Sequence, residues 1–418
     1  MFKKAINKWN SIGLIFRILG GIVLAVLLYL IFDLGFNHTI SWLVIFGDLF
    51  VGALKAIAPL LVFTLIMSSL ANAKGNIGRR FSLVIVLYIL TTLLASLIAV
   101  SASFLFPITV KLTSVAGADG YSPVGSIGEV LKSLLQKTVA NPVEAISQGN
   151  YIGILFWAAS LGTAFKLFGS DASKSFLEDA SNAVSAVVRG IISFAPFGVL
   201  GLLYSTLSTT GFDIFTDYGR LVLMIVGCMA ISALIINPLV AGIMLRANPY
   251  PLLFKCVKES AITAFFTRSS AANIPVNMSL CKKLNLDPDF YSVSIPLGAT
   301  INMDGAAITI AVMSLCAAKS LGIEVDFATA LLLCVVSTLG ACGASGIAGG
   351  SLLLIPLACS LLGIQNDVAM QMVTIGFIIG VIQDSVETAL NSSGDVFFTA
   401  TAEFYEWKKQ GKSISLPK

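Results

Sequence analysis

Apolar stretches long enough to cross a bilayer recur along the first half of the chain, at about 13–35, 41–71, 81–109, 150–168, 184–207 and 219–245. A spanning helix needs roughly 20 apolar residues, so each stretch reads as a crossing, and the longer ones have length to tilt. From residue 250 the pattern changes. Apolar runs shorten and are broken by polar or glycine-rich clusters: TRSSAANIP at 267–275, NMDG at 302–305 and GACGASGIAGG at 340–350. Non-helical backbone survives at membrane depth only where protein buries it or a wet cavity adjoins it. The order is hairpin (about 256–281), helix (286–318), hairpin (327–362), helix (368–401). Interrupted hairpins followed by helices with polar centres are the pattern of a transport site made from broken helices. The repeated order points to an internal duplication.

Composition fits this reading. Of 418 residues, 56% are hydrophobic and 11% charged, and the mean hydropathy is +0.91. Soluble domains are about one quarter charged, so the solvent of this chain is lipid. The net charge of +4 says little as a total, because the placement of the basic residues carries the information. Lys3, Lys4 and Lys8 precede the first span, Lys74, Arg79 and Arg80 follow the second, and Arg246, Lys255 and Lys258 follow the sixth. Lys408, Lys409 and Lys412 make the tail basic as well. By the positive-inside rule both termini are cytoplasmic, and the long polar interruption 111–149 lies outside. The basic start followed by an apolar run resembles a signal peptide, yet the run continues for about 20 residues without a small-residue cleavage pattern and reads as a first span.

Several chemistries fall away. The seven cysteines, at 228, 256, 281, 316, 334, 342 and 359, form no C-x-x-C pair and read as small buried hydrophobes. The one histidine, His38, sits in a short loop and has no partner for a hydrolase triad or a multi-histidine metal centre. No G-x-x-x-x-G-K-[ST] loop is present, so ATP drive is not encoded here. Nothing points to a nucleic-acid partner.

The last helix reads DSVETALNSSGD over 384–395. Asp384, Thr388, Asn391 and Asp395 fall at i, i+4, i+7 and i+11, one helical face, with Glu387 at its edge. Carboxylates on an apolar helix are costly against lipid, so they face a cavity and hold a cation, an ammonium or one another. Asp384 and Asp395 lie roughly 16 Å apart along the axis at 1.5 Å per residue, too far for an aspartyl dyad. In NMDG, Asn302 and Asp304 would point about 200° apart on a regular helix. They share a site only if the helix unwinds, which Gly298 and Gly305 permit, and unwinding frees carbonyls of the kind that coordinate sodium. Tyr88, Thr91 and Thr92 share one face of the third span, where hydroxyls bind either their own backbone or a neighbour. The glycine-dense 340–350 segment suits either close packing or a moving gate.

Together these pieces resemble the dicarboxylate/amino acid:cation symporter family, the glutamate-transporter fold. APLLVFTLIMSSL (58–70), LYILTT (87–92) and FAPFGV (194–199) resemble its second, third and fifth helices. The two hairpins, NMDG and the last helix carry the specific likeness. The resemblance covers essentially the whole chain. It implies an all-α polytopic membrane protein with eight transmembrane helices and two re-entrant helical hairpins, working as an elevator. A trimerising scaffold would comprise 1–80 and 111–215. The moving unit would comprise 81–110, 216–249 and 250–404, and 405–418 would be a cytoplasmic tail.

The same resemblance implies sodium-coupled import across a bacterial inner membrane, with no covalent chemistry and sodium ions as the coupling partners. Serine and threonine are the substrates its best-fitting branch carries. Another neutral amino acid or a dicarboxylate, coupled to sodium or protons, is the alternative, and an intramembrane enzyme or channel a distant one. By motif, Asp384 would bind the substrate ammonium, and Thr388 and Asn391 its carboxylate. Arg268, Ser269 and Ser270 would lie at the first hairpin tip, Met303 nearby, and Gly343, Ser345 and Gly346 in the outer gate. One sodium would sit among Gly298, Asn302, Asn391 and Asp395, and a second among Tyr88, Thr91, Thr92, Asn302 and Asp304. A third would use carbonyls near Thr300 and the start of the second hairpin.

Two departures concern selectivity. Glu387 stands where acidic-substrate members carry arginine, and Ala306 where they carry threonine. A buried unpaired charge is costly, so Arg268 and Glu387 are expected to pair. Lys55, in the middle of the second span, has no assigned part.

Overall fold

In a computed structural model, the described residues are 12–36, 39–72, 79–112, 135–136, 138–344 and 348–412; among them there are helices and no strand. His38, Ser345 and Gly346 lie outside them. Helix α1 (Leu14–Leu28) ends in a π-helical stretch, Tyr29–Gly35, and α2 spans Val44–Ala71. Helix α3 is Arg79–Leu105, α4 Pro142–Gln148, α5 Tyr151–Phe168, α6 Asp171–Ser193 and α7 Ala195–Thr210. Helix α8 (Asp213–Ile231) passes through a π turn, Ser232–Ile236, into α9 (Asn237–Leu245).

The first hairpin is built from α10 (Tyr250–Cys256), a π turn (Val257–Ala261) and α11 (Ile262–Thr267), with α12 (Ser270–Lys283) returning. Helix α13 (Pro288–Ile301) breaks before α14 (Asp304–Ser320). The second hairpin pairs α15 (Phe327–Ala341) with a 3₁₀ turn, Ser351–Leu354, and α16 (Ile355–Leu361). Helix α17 (Asn366–Lys409) closes the chain. The hairpin–helix order expected from the sequence is present, although the first hairpin begins at Tyr250 rather than near 256.

Helix starts follow local chemistry. Asn141, Asn150, Ser170, Ser269, Asp287 and Asp326 each accept a hydrogen bond from a first-turn N–H of the helix they precede, which satisfies donors that the helix cannot pair itself. Asp287, outside the spans, also takes a 2.8 Å bond from Arg80 of α3, which holds its carboxyl below the usual range. Seven helices among the described residues are long and apolar enough to cross a membrane. The stretch expected as one span at 184–207 is instead two helices, α6 and α7, bent by 52°. Pro196 accounts for the break, since a proline in the first turn starts α7 and cannot donate back into α6.

The helices pack in two groups. Helix α2 lies on α5, α6 and α7, and α1 on α7; α14 lies on α3, α15 and α17, and α17 also on α8 to α13. Glycine lets the first group approach closely. A Cβ on Gly201 would stand 2.4 Å from Leu43 O, and one on Gly162 2.7 Å from Met67 O. Small residues allow such contacts where water supplies no driving force. The last two spans of the second group are the most buried: 94% of the apolar window of Pro288–Ser320 and 78% of that of Asn366–Lys409, against 17% for Phe16–Gly35. The two meet where Phe50 packs edge-on to Phe377 at 5.0 Å, where Gly343 lies against Ile66, and where Lys55 pairs with Asp367. The seven cysteines are free thiols, six of them buried.

Candidate functional site

Asn302 and Met303 leave helical geometry, with φ/ψ of −89/82° and −126/47°. The unwinding expected of NMDG is therefore present, two residues long. Gly298 and Gly305 serve it differently from expectation: neither supplies the turn, and both give close approach. A Cβ on Gly298 would stand 2.7 Å from Asp395 Oδ1 and 2.9 Å from Tyr88 Oη, and one on Gly305 2.9 Å from Glu387 Cα. The break turns Asn302 and Asp304 toward separate clusters.

The first cluster centres on Asp395. Asn302 Nδ2 donates to Asp395 Oδ1 at 3.1 Å and to the Asn391 carbonyl at 2.9 Å. Tyr88 Oη lies 3.1 Å from the Asp395 carbonyl, 3.3 Å from the Ser294 carbonyl and 3.0 Å from Thr399 Oγ1. The Oδ1 of Asn302 is buried without a hydrogen-bond partner. A buried acceptor left unpaired costs free energy comparable to a lost hydrogen bond. Beside a carboxylate, it suits a cation.

The second cluster centres on Asp304. Thr92 Oγ1 donates to its Oδ1 at 3.1 Å, and Asn237 and Ser232 reach its Oδ2 at 2.9 and 3.4 Å. Ser232 and Asn237 are five apart, a spacing that faces one way only because the π turn between α8 and α9 widens the helix. This is why a period-3.6 reading passed over them. Asn237 Oδ1 also has no partner. Thr91, expected to reach the same ion, lies within hydrogen-bonding reach of Asp304 and also bonds the carbonyls of Leu87 and Tyr88 on its own helix.

The third cluster holds Asp384 and Glu387 of α17. Arg268 Nε lies 2.6 Å from Asp384 Oδ2, and the Gly349 N–H donates to Asp384 Oδ1 at 3.1 Å. The expected Arg268–Glu387 pair is not formed. Glu387 Oε2 is taken by Thr309, Ser351 and Gln383 at 2.8, 2.9 and 2.5 Å. Arg268 reaches Asp384 because its backbone is left-handed, φ 52°, at the end of α11, and Asp384 stands one turn before Glu387. Its Nη1 is buried without a partner. Asn391 accepts from the Gly305 N–H at 2.8 Å and points its Nδ2 to Met303 Sδ at 3.4 Å.

Other expected residues do less. Thr388 Oγ1 bonds the Asp384 carbonyl and Thr300 Oγ1 the Leu297 carbonyl, each on its own helix. Thr300 is also exposed. Near it, the Ile301 carbonyl meets Cys342 Sγ at 3.6 Å, so it is the tip end of the second hairpin's first arm, not its start at Phe327, that adjoins the break. Ser269 caps α12, Ser270 is buried beside it, and Gly343 packs on Ile66.

Among the described residues no three His, Cys, Asp or Glu side chains come together. Each ion-like cluster instead offers one carboxylate with amide, hydroxyl or carbonyl oxygens. Arg268 is the one buried basic side chain among the described residues, against buried Asp304, Asp384, Glu387, Asp395, Glu403 and Glu406. After Arg268 pairs with Asp384, buried carboxylates remain that must be neutralised by a proton or by a cation from outside the protein.

Comparison with known proteins bears on what supplies that charge. The family described as the sodium:dicarboxylate symporter family matches residues 14–403. A protein named serine/threonine transporter SstT from Bifidobacterium adolescentis is 55% identical over 406 residues, 97% of this chain and 93% of its own. Another of that name, from Streptococcus thermophilus, is 53% identical over 407 residues, 97% of this chain and 100% of its own. With a family match over nearly its whole length and relatives this similar, the chain belongs to the sodium:dicarboxylate symporter family.

Proposed function

We propose that the protein imports serine and threonine across a bacterial inner membrane by sodium-coupled symport. The observation that supports this most is the excess of buried carboxylates over buried bases, set beside orphaned amide oxygens on Asn302 and Asn237. Sodium at Asp395 and at Asp304 supplies the missing charge, and its binding completes the two clusters. Gly298, Asn302, Asn391 and Asp395 hold one ion, with Tyr88 beside them; Thr91, Thr92 and Asp304 hold another, with Ser232 and Asn237 added to that set and Asn302 and Tyr88 left to the first. A third uses carbonyls beside Thr300, at the Ile301–Cys342 approach.

The substrate lies between the hairpin tips and α17. Asp384 receives its ammonium, which requires Arg268 to yield part of its hold. The unpartnered Nη1 of Arg268, with Ser269, Ser270 and Asn391, suits its carboxylate. Met303, Thr388, Gly343, Ser345 and Gly346 enclose it. Glu387 and Ala306 set a side-chain pocket without positive charge, which disfavours dicarboxylates despite the family's description. The names of the relatives agree with that direction.

The wider architecture belongs to the same reading. Counting the bent α6–α7 pair as one span gives eight crossings, with both termini cytoplasmic. Helices α1, α2 and α4 to α7 form a scaffold that trimerises, and α3 with α8 to α17 moves against it as an elevator. Uptake of labelled serine into proteoliposomes tests the function. Accumulation is expected with an inward sodium gradient and not with a proton gradient alone. Equal uptake without sodium overturns the reading.

A further inference from the structure

Asn277, on the returning arm of the first hairpin, is fully buried and has both ends of its carboxamide engaged. Its Nδ2 donates to the Ser392 carbonyl at 2.9 Å, to Ser392 Oγ at 3.1 Å and to Asp395 Oδ2 at 3.4 Å. Its Oδ1 accepts from Ser260 Oγ at 2.5 Å and from Asn273 Nδ2 at 3.2 Å. Flipping the amide would set its donor against donors and its acceptor against the Asp395 carboxylate, so the network fixes one orientation. Ser260 lies in the π turn of the outgoing arm, and Asn273 also donates to Ser392 Oγ, at 2.9 Å. Both arms of the hairpin are thereby tied to one turn of α17.

The two oxygens of Asp395 are consequently held from opposite sides. Oδ1 faces Asn302 and the Cβ-free flank of Gly298; Oδ2 faces Asn277. A carboxylate gripped by one oxygen presents the other in a defined direction, which is how residues behind a ligand tune its affinity for a metal. We propose that Asn277 is a positioning residue for sodium: it aims Asp395 Oδ1 at the ion and makes the first hairpin sense whether the ion is bound. This rests on the reading that Asp395 holds sodium. Asn277 touches neither ion nor substrate in that role and acts through Asp395 and Ser392.

The test uses the purified full-length protein. Two quantities are measured: thermal stabilisation against sodium concentration, and the half-saturating serine concentration at saturating sodium. Asn277→Ala is expected to raise the half-saturating sodium concentration about tenfold, the lower end of effects seen for groups behind a metal ligand. The serine value at saturating sodium should stay within about twofold. Where the alanine variant does not fold, Asn277→Ser keeps a buried donor and is expected to move the sodium curve in the same direction by less. A sodium curve that superimposes on the unaltered protein's, even with a lowered Tm, makes Asn277 merely structural and overturns the proposal. Asp395→Asn, measured alongside, separates the two levels. If it shifts the sodium curve while Asn277→Ala does not, the positioning role fails and the ion site stands. If neither shifts it, the ion site fails as well and the inference with it.

Discussion

Arg268 and Asp384 meet across the gap between the first hairpin and the last helix, Nε to Oδ2 at 2.6 Å, with side chains 6% and 2% exposed. The pair sits where the proposed substrate ammonium must bind, so the guanidinium occupies the position of the substrate's charge. Removing one member of a buried pair costs about 3–5 kcal/mol because the other is left uncompensated. Asp384→Asn is therefore expected to lose serine binding and also to lower the Tm. Combining it with Arg268→Gln should recover most of the Tm, because no buried charge is left alone, without recovering binding. Thermal unfolding and labelled-serine binding on the two single variants and the double variant check this. A double variant no more stable than Asp384→Asn would remove the pair from the account.

Much of this architecture was legible because it rests on periodicities. The polar stripe from Asp384 to Asp395 is a regular helix read correctly, and TRSSAANIP marks a tip because Arg268 adopts a left-handed backbone there. What escaped the sequence depends on departures from 3.6 residues per turn or on three-dimensional choice among partners. Ser232 with Asn237, and Ser260 with Asn277, are aligned by π turns that no apolar pattern announces. The sequence paired Arg268 with Glu387, yet Asp384, one turn earlier, takes it. The donors Thr309, Ser351 and Gln383, from three different segments, had already satisfied Glu387. The bend between α6 and α7 at Pro196 lies inside a run that reads as one apolar span.

Lys55 finds a partner in Asp367 at the start of α17, joining the two packing groups beside a cavity lined also by Gln148, Gln365 and Asn366. The side chains are 45% and 59% exposed, and pairs this exposed contribute about 0–1 kcal/mol. That is too little to hold the fold but enough to bias two conformations by up to about fivefold. Lys55→Met should leave the Tm nearly unchanged and alter the serine transport rate by up to about fivefold. Exchanging the charges, Lys55→Asp with Asp367→Lys, should restore it. A rate that the exchange fails to restore argues that Lys55 acts by itself.

Asn302 and Asp304 serve different clusters, so their variants should behave as separate sites. Asn302→Ala removes a donor to Asp395 and an orphaned oxygen; Asp304→Asn removes the only carboxylate of the second cluster. Each is expected to raise the half-saturating sodium concentration about tenfold, with serine affinity at saturating sodium preserved. The double variant should show the product of the two shifts if the ions bind independently. Titration of serine binding against sodium decides this. A fall in serine affinity with an unmoved sodium curve would assign both residues to the substrate instead.

In the proposed reading, selectivity rests on Glu387 and on the three donors around it. Its side chain is 5% exposed, and Oε2 alone takes Thr309, Ser351 and Gln383. In that reading the other oxygen meets what enters the pocket, where a carboxylate repels a dicarboxylate while accepting from a hydroxyl. Glu387→Gln keeps the shape, loses the charge, and should weaken serine modestly while leaving aspartate excluded, because no cation has been added. Glu387→Arg inverts the sign. Its surroundings can adapt, since the Thr309 and Ser351 hydroxyls accept as readily as they donate. The Gln383 amide, whose Oε1 has no partner, can turn that oxygen toward the guanidinium. Glu387→Arg is therefore expected to fold, to lose serine transport and to bind aspartate measurably. A hydrogen bond that discriminates between substrates is worth about 1–3 kcal/mol, roughly 5- to 150-fold in affinity. Competition of labelled serine by unlabelled threonine, alanine, aspartate and glutamate in both variants reads this out. If the arginine variant folds, still prefers serine and ignores aspartate, the side-chain pocket lies elsewhere and Glu387 only braces α14 against α17.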